Sequence, residues 1–435
     1  MNRHRTRRRP GRALVAALVL VASAGLVAAG AYARTAERVP EGVFVAGLDV
    51  GGLSEAEARA ALETHSQRLL SRRIRLAGGS TTGRALGGVP RIDEALDDAG
   101  TDGIVGRVAA KLGLRDHRSI ALAFDFDVRR FDGIAAQVER PARNAKLVVE
   151  GDVVRIEPAR AGRVLERRAL ARALAYLPPR VRAPLANRPA EVSTAELRRL
   201  AIREQIASFT TAYPAGESRV TNIQRAAALL DGTIVPAGGT FSMNEALGER
   251  TEARGFVAAP TIFDGRLVDS VGGGISQVAT TLYNAAFFAG LNLVAHTPHS
   301  FYIDRYPMGR EATISWGGPE LIFRNDWHAA VLMKVAASDT AITVTFYSSL
   351  LDRRVETATS EPFDYTQPTV REVTNAALPP ATRTTVQEAG APGFTVEYTR
   401  KVWRGAELVR DERFTTRYLA KDGIVEVGPD RLSGE

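Results

Sequence analysis

The sequence predicts an α+β protein, on three observations. Short strand patterns alternate with helical ones in the first half, Ser-x-x-Glu capping boxes open two helices, and hairpin patterns dominate the second half. At about 100–200 residues per domain, 435 residues predict two to four domains. A hydrophobic content of 45% excludes a disordered or collagen-like chain.

The chain contains no cysteine, which excludes disulfides, thiolate metal sites and a cysteine nucleophile. Its net charge of +8 comes mostly from the first 34 residues, which hold seven arginines and no acidic residue. Without them, 50 basic residues face 49 acidic ones. Because the excess charge is confined to one end, no nucleic-acid partner is expected.

Residues 13–33 carry no charge and follow six of these arginines. A span of about 20 apolar residues can cross a bilayer as a helix, and the arginines would stay on the cytoplasmic side. We therefore expect residues 1–34 to be a cytoplasmic tail and a single-pass transmembrane anchor. A cleaved secretory signal is the alternative, with Ala31-Tyr32-Ala33 as the cleavage site. Either interpretation predicts an extracytoplasmic location for the rest of the chain.

Residues 40–177 predict an α+β region that begins with a strand at Val43–Val50 and a helix capped by Ser54 and Glu57. Further elements follow, namely a strand at 121–128, a helix at 131–138, a hairpin at 145–149 and 153–156, and a helix at 166–176. The region ends in I-E-P-x-x-x-G-R-x-L followed by a helix, and it resembles the peptidoglycan-binding modules of wall-associated proteins. A plain spacer is the alternative.

Residues 178–192 contain four prolines and predict a linker, since proline sustains neither a helix interior nor a central strand. Residues 193–350 predict the main domain, with a helix from Ser193 to about Phe209 and another at Val220–Leu230. The late strands are expected at Leu321–Phe323, Val331–Val335 and Ile342–Tyr347, in a mixed, mostly antiparallel sheet. Residues 384–428 predict a small β tail.

A run of three glycines leads into the most informative helix of the chain. Gly272, Gly273 and Gly274 precede apolar positions spaced as one buried stripe, and Ser276 falls off that stripe in the first turn. Glycines let another segment approach closely, and the first turn offers unpaired backbone N–H groups. Such a turn can present a nucleophile or hold an oxyanion. Serine is also a common cap, so a purely structural role remains open at this point.

A second cluster begins with His296 and His299 and continues through Asp304, Tyr306 and Glu311. No third ligand follows the histidines at a recognisable spacing, so no metal site is expected. A serine, a histidine and a carboxylate within 36 residues can instead form a nucleophile, a base and an orienting group.

A third group, Ser242 and Asn244, lies just after the β-rich segment Thr233–Val235. Their hydroxyl and amide groups can bind a substrate amide or hold a turn.

Together these motifs resemble the VanW family. The resemblance rests on P-A-G-G-T-F-S-M-N, G-G-G-I-S-Q-V-A-T-T-L-Y-N-A, P-H-S, Y-P-M-G-R-E-A-T-I and F-R-N, in that order, over about residues 195–350. It implies work at the bacterial cell wall, and some members are L,D-transpeptidases that join stem peptides. The β tail resembles the G5 modules that accompany such domains. A link to vancomycin resistance comes only from the family's name.

The chain departs from the family pattern at the nucleophile. The family motif has a cysteine where this chain has Ser276, and Glu311 stands where an aspartate is expected. The resemblance implies catalytic roles for Ser276, His299 as base, and Glu311 or Asp304 as its orienting carboxylate. We further predict substrate-binding roles for six residues, namely Gly273, Gly274, Gln277, Ser242, Asn244 and Tyr306.

Two functions follow from this pattern. The preferred one is a membrane-anchored pseudo-enzyme that engages peptidoglycan or its stem peptides, because a serine alkoxide is harder to form than a thiolate. The alternative is an L,D-transpeptidase-like acyl transferase with Ser276 as nucleophile. No cofactor and no metal is expected in either case, and the sequence leaves the oligomeric state open.

Overall fold

The structure is a computed structural model that describes residues 38–100, 117–263, 266–350 and 352–429. These residues form two compact units. The first comprises residues up to 143 together with 160–190, and the second comprises 144–159 together with 191–435. The predicted anchor lies outside the described residues. Among those that are described, no helix has the length and apolarity needed to cross a membrane.

The first unit contains four helices and ten short strands among its described residues. The helices are α1 (Glu55–Leu70), α2 (Ile92–Gly100), α3 (Asp132–Val138) and α4 (Arg167–Leu174). The strands are β1 (Val43–Val45), β2 (Leu48–Asp49), β3 (Arg73–Leu76), β4 (Gly79–Thr82), β5 (Gly88–Pro90), β6 (Arg118–Ile120), β7 (Phe124–Phe126), β10 (Gly162–Leu165), β11 (Arg180–Val181) and β12 (Leu185–Arg188).

Helices cover the small sheets of this unit and bury two apolar clusters. One sheet has the order β2-β1-β6 and another β11-β3-β4, and each includes one parallel pair. Helix α1 begins at the predicted capping box, in which Ser54 accepts from the backbone N–H of Glu57. Its inward side chains, such as Leu62, share a core with α2 and β1, whereas α4 packs with β3 and β11.

The second unit holds the other elements. Its helices are α5 (Thr194–Arg199), α6 (Arg219–Leu230), α7 (Met243–Leu247) and α8 (Ile275–Phe288). Its strands are β8 (Lys146–Glu150), β9 (Val153–Glu157), β13 (Glu204–Ala212), β14 (Ile234–Val235), β15 (Thr240–Ser242), β16 (Ala258–Phe263), β17 (Arg266–Val271), β18 (Asn292–Ala295), β19 (Ile322–Arg324), β20 (Val331–Ala337), β21 (Ala341–Ser348), β22 (Arg353–Thr359), β23 (Phe363–Thr366), β24 (Val370–Thr374), β25 (Arg383–Gln387), β26 (Gly393–Arg404), β27 (Glu407–Tyr418) and β28 (Gly423–Val427).

A six-stranded sheet of order β14-β20-β21-β13-β9-β8 forms the base of this unit. Every pair in it is antiparallel, whereas the sequence predicted a mixed, mostly antiparallel sheet. Helices α6 and α8 pack on the sheet and bury a large apolar core against β20 and β21. The α+β class is confirmed.

The helix predicted from Ser193 to Phe209 is wrong beyond its first turns. Its capping box forms as expected, but α5 ends at Arg199 and the chain continues as β13. Strand β13 pairs with β21 over eight positions, so sheet pairing outweighs the local helical pattern.

The predicted linker at 178–192 contains two strands, β11 and β12. Pro178 and Pro179 precede β11, and Pro184 precedes β12, so the prolines stand at strand ends, where a missing N–H costs no ladder bond. The hairpin predicted at 145–156 forms as β8 and β9. Strand β9 pairs with β13, so the hairpin belongs to the second unit and not to the predicted region 40–177.

Strands β26 and β27 of the predicted β tail pack into the same core as α8. Tyr398 and Val402 of β26 are buried in that core together with Leu282 and Phe287. Strand β22, which lies before residue 384, also pairs with β26. The tail therefore begins earlier than predicted and forms one compact unit with the main domain.

Three arginines of this C-terminal region donate hydrogen bonds to the carbonyls at the end of α8. Arg353 reaches Ala289 O at 2.8 Å, Arg410 reaches Gly290 O at 2.9 Å, and Arg400 reaches Leu291 O at 3.0 Å. The last carbonyls of a helix have no partner within the helix, and the helix dipole favours positive charge at that end. The three arginines supply both the hydrogen-bond donors and the charge. They fix the position of α8 from one end.

Candidate active site at the start of α8

Each of the three positions before α8 requires glycine for a steric reason. Gly272 and Gly274 adopt positive φ values of 87° and 93°. A Cβ on Gly273 would lie 2.1 Å from the carbonyl oxygen of Ala259 in β16. The predicted close approach of another segment is therefore present, and that segment is the β16–β17 hairpin.

Helix α8 is buried all round, so the predicted single apolar stripe is too narrow a description. From Ile275 to Phe288 every residue is buried except Ser276 and Phe288, which are half-buried. Ser276 is thus the position in the first turn of α8 that reaches the surface. Its Oγ accepts a long hydrogen bond of 3.4 Å from the backbone N–H of Ile314.

Ser276 opens into a pocket of about 570 Å³, which we name the α8 pocket. His299, Gln277, Gly274 and Tyr306 line it as well, so the sequence-predicted residues do share one space. Further residues complete the wall, namely Glu217, Ser218, Arg219, Pro260, Thr261, Ile303, Arg305 and Thr313. This volume falls within the roughly 300–1,000 Å³ typical of small-molecule sites.

The imidazole of His299 is held by a buried carboxylate. Its Nδ1 lies 2.5 Å from Oε2 of Glu311, which is completely buried, and the other oxygen of Glu311 accepts from the Tyr418 hydroxyl at 2.8 Å. Among the described residues Nε2 of His299 has no hydrogen-bond partner, and the ring lines the α8 pocket. The contact leaves Nε2 as the nitrogen available for proton transfer.

Burial, followed by the nearby charge of Glu311, raises the pKa of Tyr418 well above its ordinary value. The phenol therefore stays protonated and can donate to the carboxylate. The Tyr418 oxygen also accepts from the Gly309 N–H at 2.8 Å. Both ends of the segment Gly309–Glu311 are thereby attached to the end of β27.

Polar side chains of α8 hold the Glu311 segment from the other side. Thr280 Oγ1 accepts from the Ala312 N–H at 3.1 Å, and Asn284 Nδ2 donates to Arg310 O at 2.9 Å. The helix that carries Ser276 therefore also positions the carboxylate that orients His299.

Gln277 is buried and makes a closed set of hydrogen bonds under the pocket floor. Its Oε1 accepts from Arg219 Nη2 and from the Tyr306 hydroxyl, each at 2.9 Å. Its Nε2 donates to Thr211 Oγ1 at 2.6 Å. The Tyr306 ring stacks on His299 at 5.6 Å, so this network also restrains the imidazole.

Apart from Glu311, four predicted residues do not line the α8 pocket, namely Ser242, Asn244, Asp304 and Gly273, the last of which packs against β16. Ser242 caps α7 by accepting from the Glu245 N–H, and it donates to Glu320. Asn244 donates to the carbonyl of Ser315, and neither of the two lines the α8 pocket. Asp304 is exposed, and the carboxylate at His299 is Glu311. The first two are structural, as polar residues at turns often are.

His296 points into the core and not into the pocket. Its ring stacks on Tyr283 at 4.3 Å, and its Nε2 lies 3.3 Å from the Tyr398 hydroxyl. Burial, assisted by the charge of Arg400, lowers the pKa of His296 to about 4. Within the described residues no cluster of three or more His, Asp or Glu could hold a metal ion.

Sequence reasoning missed Arg219, Arg305 and Tyr418. Arg219 opens α6, and its side chain is only 15% exposed, but a single arginine at a helix start carries no local signal of a pocket. Tyr418 lies 107 residues from Glu311, and no spacing rule connects them.

The comparisons with known proteins agree with this geometry. A family model described as VanW like protein matches residues 218–347, which include α6, α8 and the His299–Glu311 segment. The uncharacterized protein YoaR of Bacillus subtilis (strain 168) is 34% identical over 219 residues, 49% of this chain and 71% of that protein. The chain belongs to the VanW-like family.

Two solved structures also resemble this VanW-like protein over short stretches. One is the IgA1 protease G5 domain, at 25% identity and a TM-score of 0.12, which covers 18% of this chain and 89% of the domain. The other is HP0197-G5, at 14% identity and a TM-score of 0.11, which covers 18% of this chain and 95% of that structure. At these TM-scores the G5-like character of the tail stays a prediction from the sequence.

We expect Tyr418→Phe to lower the free energy of unfolding of the second unit by about 1–3 kcal/mol, because it leaves a Glu311 oxygen and the Gly309 N–H buried without a partner. Urea unfolding followed by tryptophan fluorescence measures this, since Trp316, Trp327 and Trp403 all lie in that unit. The control Tyr365→Phe, at an exposed ring, should change it by less than about 0.5 kcal/mol. Equal effects would contradict the assigned role.

We expect the half-buried His296 to make the free energy of unfolding fall in acid. Its pKa is about 4 in the fold and 6.5 in the reference state, so between these values the unfolded chain binds a proton that the folded chain does not. Stability from this group is full above about pH 6.5 and is lost as the pH falls toward 4. Urea unfolding at several pH values should give a flatter curve for His296→Gln than for the wild type. The same dependence of the free energy of unfolding on pH in the variant and the wild type would contradict this role of His296.

Proposed function

We propose that the α8 pocket binds a stem peptide of peptidoglycan. The observation that carries this proposal is the convergence of Ser276, Gln277, His299 and two arginines on one space of about 570 Å³. Membership of the VanW-like family supports a ligand from the cell wall, because that is the role the family resemblance implies.

The charges around the pocket match the ends of a peptide. Arg219 and Arg305 offer guanidinium groups, which pair well with carboxylates, and Glu217 offers a carboxylate for an amine. Stem peptides carry both free carboxylates and free amines. Because Arg219 also donates to Gln277, its guanidinium is held in place before any ligand arrives.

Binding without turnover is the principal proposal. The Ser276 hydroxyl accepts from a backbone N–H and, among the described residues, makes no hydrogen bond to His299. A serine becomes a nucleophile only when a base removes its proton. Binding requires the pocket alone, which fits a pseudo-enzyme that keeps the family's site with serine in place of cysteine.

Acyl transfer at Ser276 is the second candidate, and the His299–Glu311–Tyr418 contacts favour it. In this reaction Nε2 of His299 takes the proton of Ser276 as its Oγ attacks an acyl carbonyl. The C–N bond then breaks, and the departing amine receives that proton. A second amine attacks the acyl-serine, passes its proton to His299 and restores Ser276. The backbone N–H of Ser276 would stabilise the tetrahedral oxygen, since those of Ile275 and Gln277 donate to the carbonyls of Gly272 and Gly274.

The proposal includes the extracytoplasmic location predicted from residues 1–34, because stem peptides are joined outside the cytoplasm. Protease added to intact cells tests that part. Complete protection of the chain would contradict it.

Isothermal titration calorimetry of the full chain with a stem pentapeptide tests binding. We expect Arg219→Gln to weaken it by about tenfold, or 1.4 kcal/mol, since it removes a partly buried guanidinium. Arg417→Gln, at an exposed site on β27, removes the same charge and should leave the affinity unchanged. His299→Ala should keep most of the affinity.

Intact-mass spectrometry of the same mixtures separates the two candidates. Peptide binding without a mass increase supports the principal proposal, and Ser276→Cys then tests whether only the nucleophile was lost. A covalent adduct that forms on the wild type and is absent from Ser276→Ala would contradict the principal proposal and support acyl transfer. Absence of both binding and adduct would contradict the two candidates together.

A further inference from the structure

A second groove, of about 770 Å³, lies within the first unit and is separate from the α8 pocket. It runs over strands β3 and β11 and the turn at Ala77–Gly79. Its charged lining consists of three arginines, Arg75, Arg180 and Arg182. We name it the arginine groove.

The strand register places these arginines side by side. Strands β3 and β11 are parallel, and Arg75 pairs directly with Arg180, while the next pair, Leu76 and Val181, faces the core. Because side chains alternate along a strand, Arg182 falls on the same side as Arg180. Arg73 extends the row in the same way along β3.

None of these four arginines has an ion-pair or side-chain hydrogen-bond partner in the part of the chain that the structure describes. Other arginines of this unit are paired, for example Arg91 with Asp125 and Arg167 with Asp132. Like charges directly opposite each other destabilise a sheet. An unpaired cationic array in a concave groove therefore carries a cost that an anionic ligand would relieve.

We propose that the arginine groove binds a linear polyanion that carries phosphate groups. Guanidinium groups match phosphate oxygens bidentately. The array repeats at about 4.8 Å across the strands and about 6.7 Å along them, so it suits a chain of charges better than one ion. The Ala77–Gly79 turn and Arg182–Ala183 also line the groove, so the three arginines lie in a concave site and not on a flat surface.

The test must separate this groove from the first 34 residues, whose seven arginines would attract any polyanion. Phenylglyoxal modification of the full chain, read residue by residue by peptide mass spectrometry, does so. Long-chain polyphosphate should slow modification of Arg75, Arg180 and Arg182 by about fivefold or more, and orthophosphate should do so far less. Arg168 and Arg172 on α4 are exposed in the same unit and should be slowed less than about twofold.

A pair of double variants tests the groove by a second route. The double variant Arg75→Gln/Arg180→Gln should abolish the protection of Arg182 by polyphosphate. The control double variant Arg168→Gln/Arg172→Gln removes the same charge and should preserve that protection. Equal slowing at all exposed arginines would overturn the proposal. So would protection by anionic vesicles but not by polyphosphate, or protection by polyglutamate equal to that by polyphosphate.

Discussion

The position of helix α8 is the constraint on which the second unit depends. The helix is buried along almost its whole length, so its two ends must find partners inside the protein. At the C-terminal end, Arg353, Arg400 and Arg410 supply those partners. At the N-terminal end the three glycines bring β16 close and leave Ser276 facing the α8 pocket.

The same arrangement makes the C-terminal strands part of the site. The family match covers residues 218–347, yet Tyr418 fixes Glu311, and the Leu419 N–H donates to the Ser300 carbonyl next to His299 at 2.7 Å. Strand β26 also contributes Arg400, whose charge is compensated by Glu412 at 2.7 Å. The residues that hold the imidazole thus come from segments more than 100 residues apart in the sequence.

The sequence predicted the parts of the site that depend on neighbours along the chain. The glycine run and the first-turn serine follow from local sterics, whereas the pairing of Ser276 with His299 was implied by the family resemblance. It could not predict Tyr418, or the change from helix to strand after Arg199, because both depend on partners far along the chain. The sequence left the roles of Ser242 and Asn244 open for a related reason, since a polar residue at a turn gives the same pattern whether it faces a ligand or a backbone carbonyl.

The central claim is that α8 and the β26–β27 hairpin fold as one unit that carries the site. Native-state hydrogen exchange of the full chain at increasing urea concentrations tests it most directly. We expect the amides of Ile275–Phe288 and those of Gly393–Tyr418 to open together, with free energies of opening equal within about 1 kcal/mol and the same dependence on urea. If the hairpin opens at low urea while α8 stays protected, the claim is contradicted.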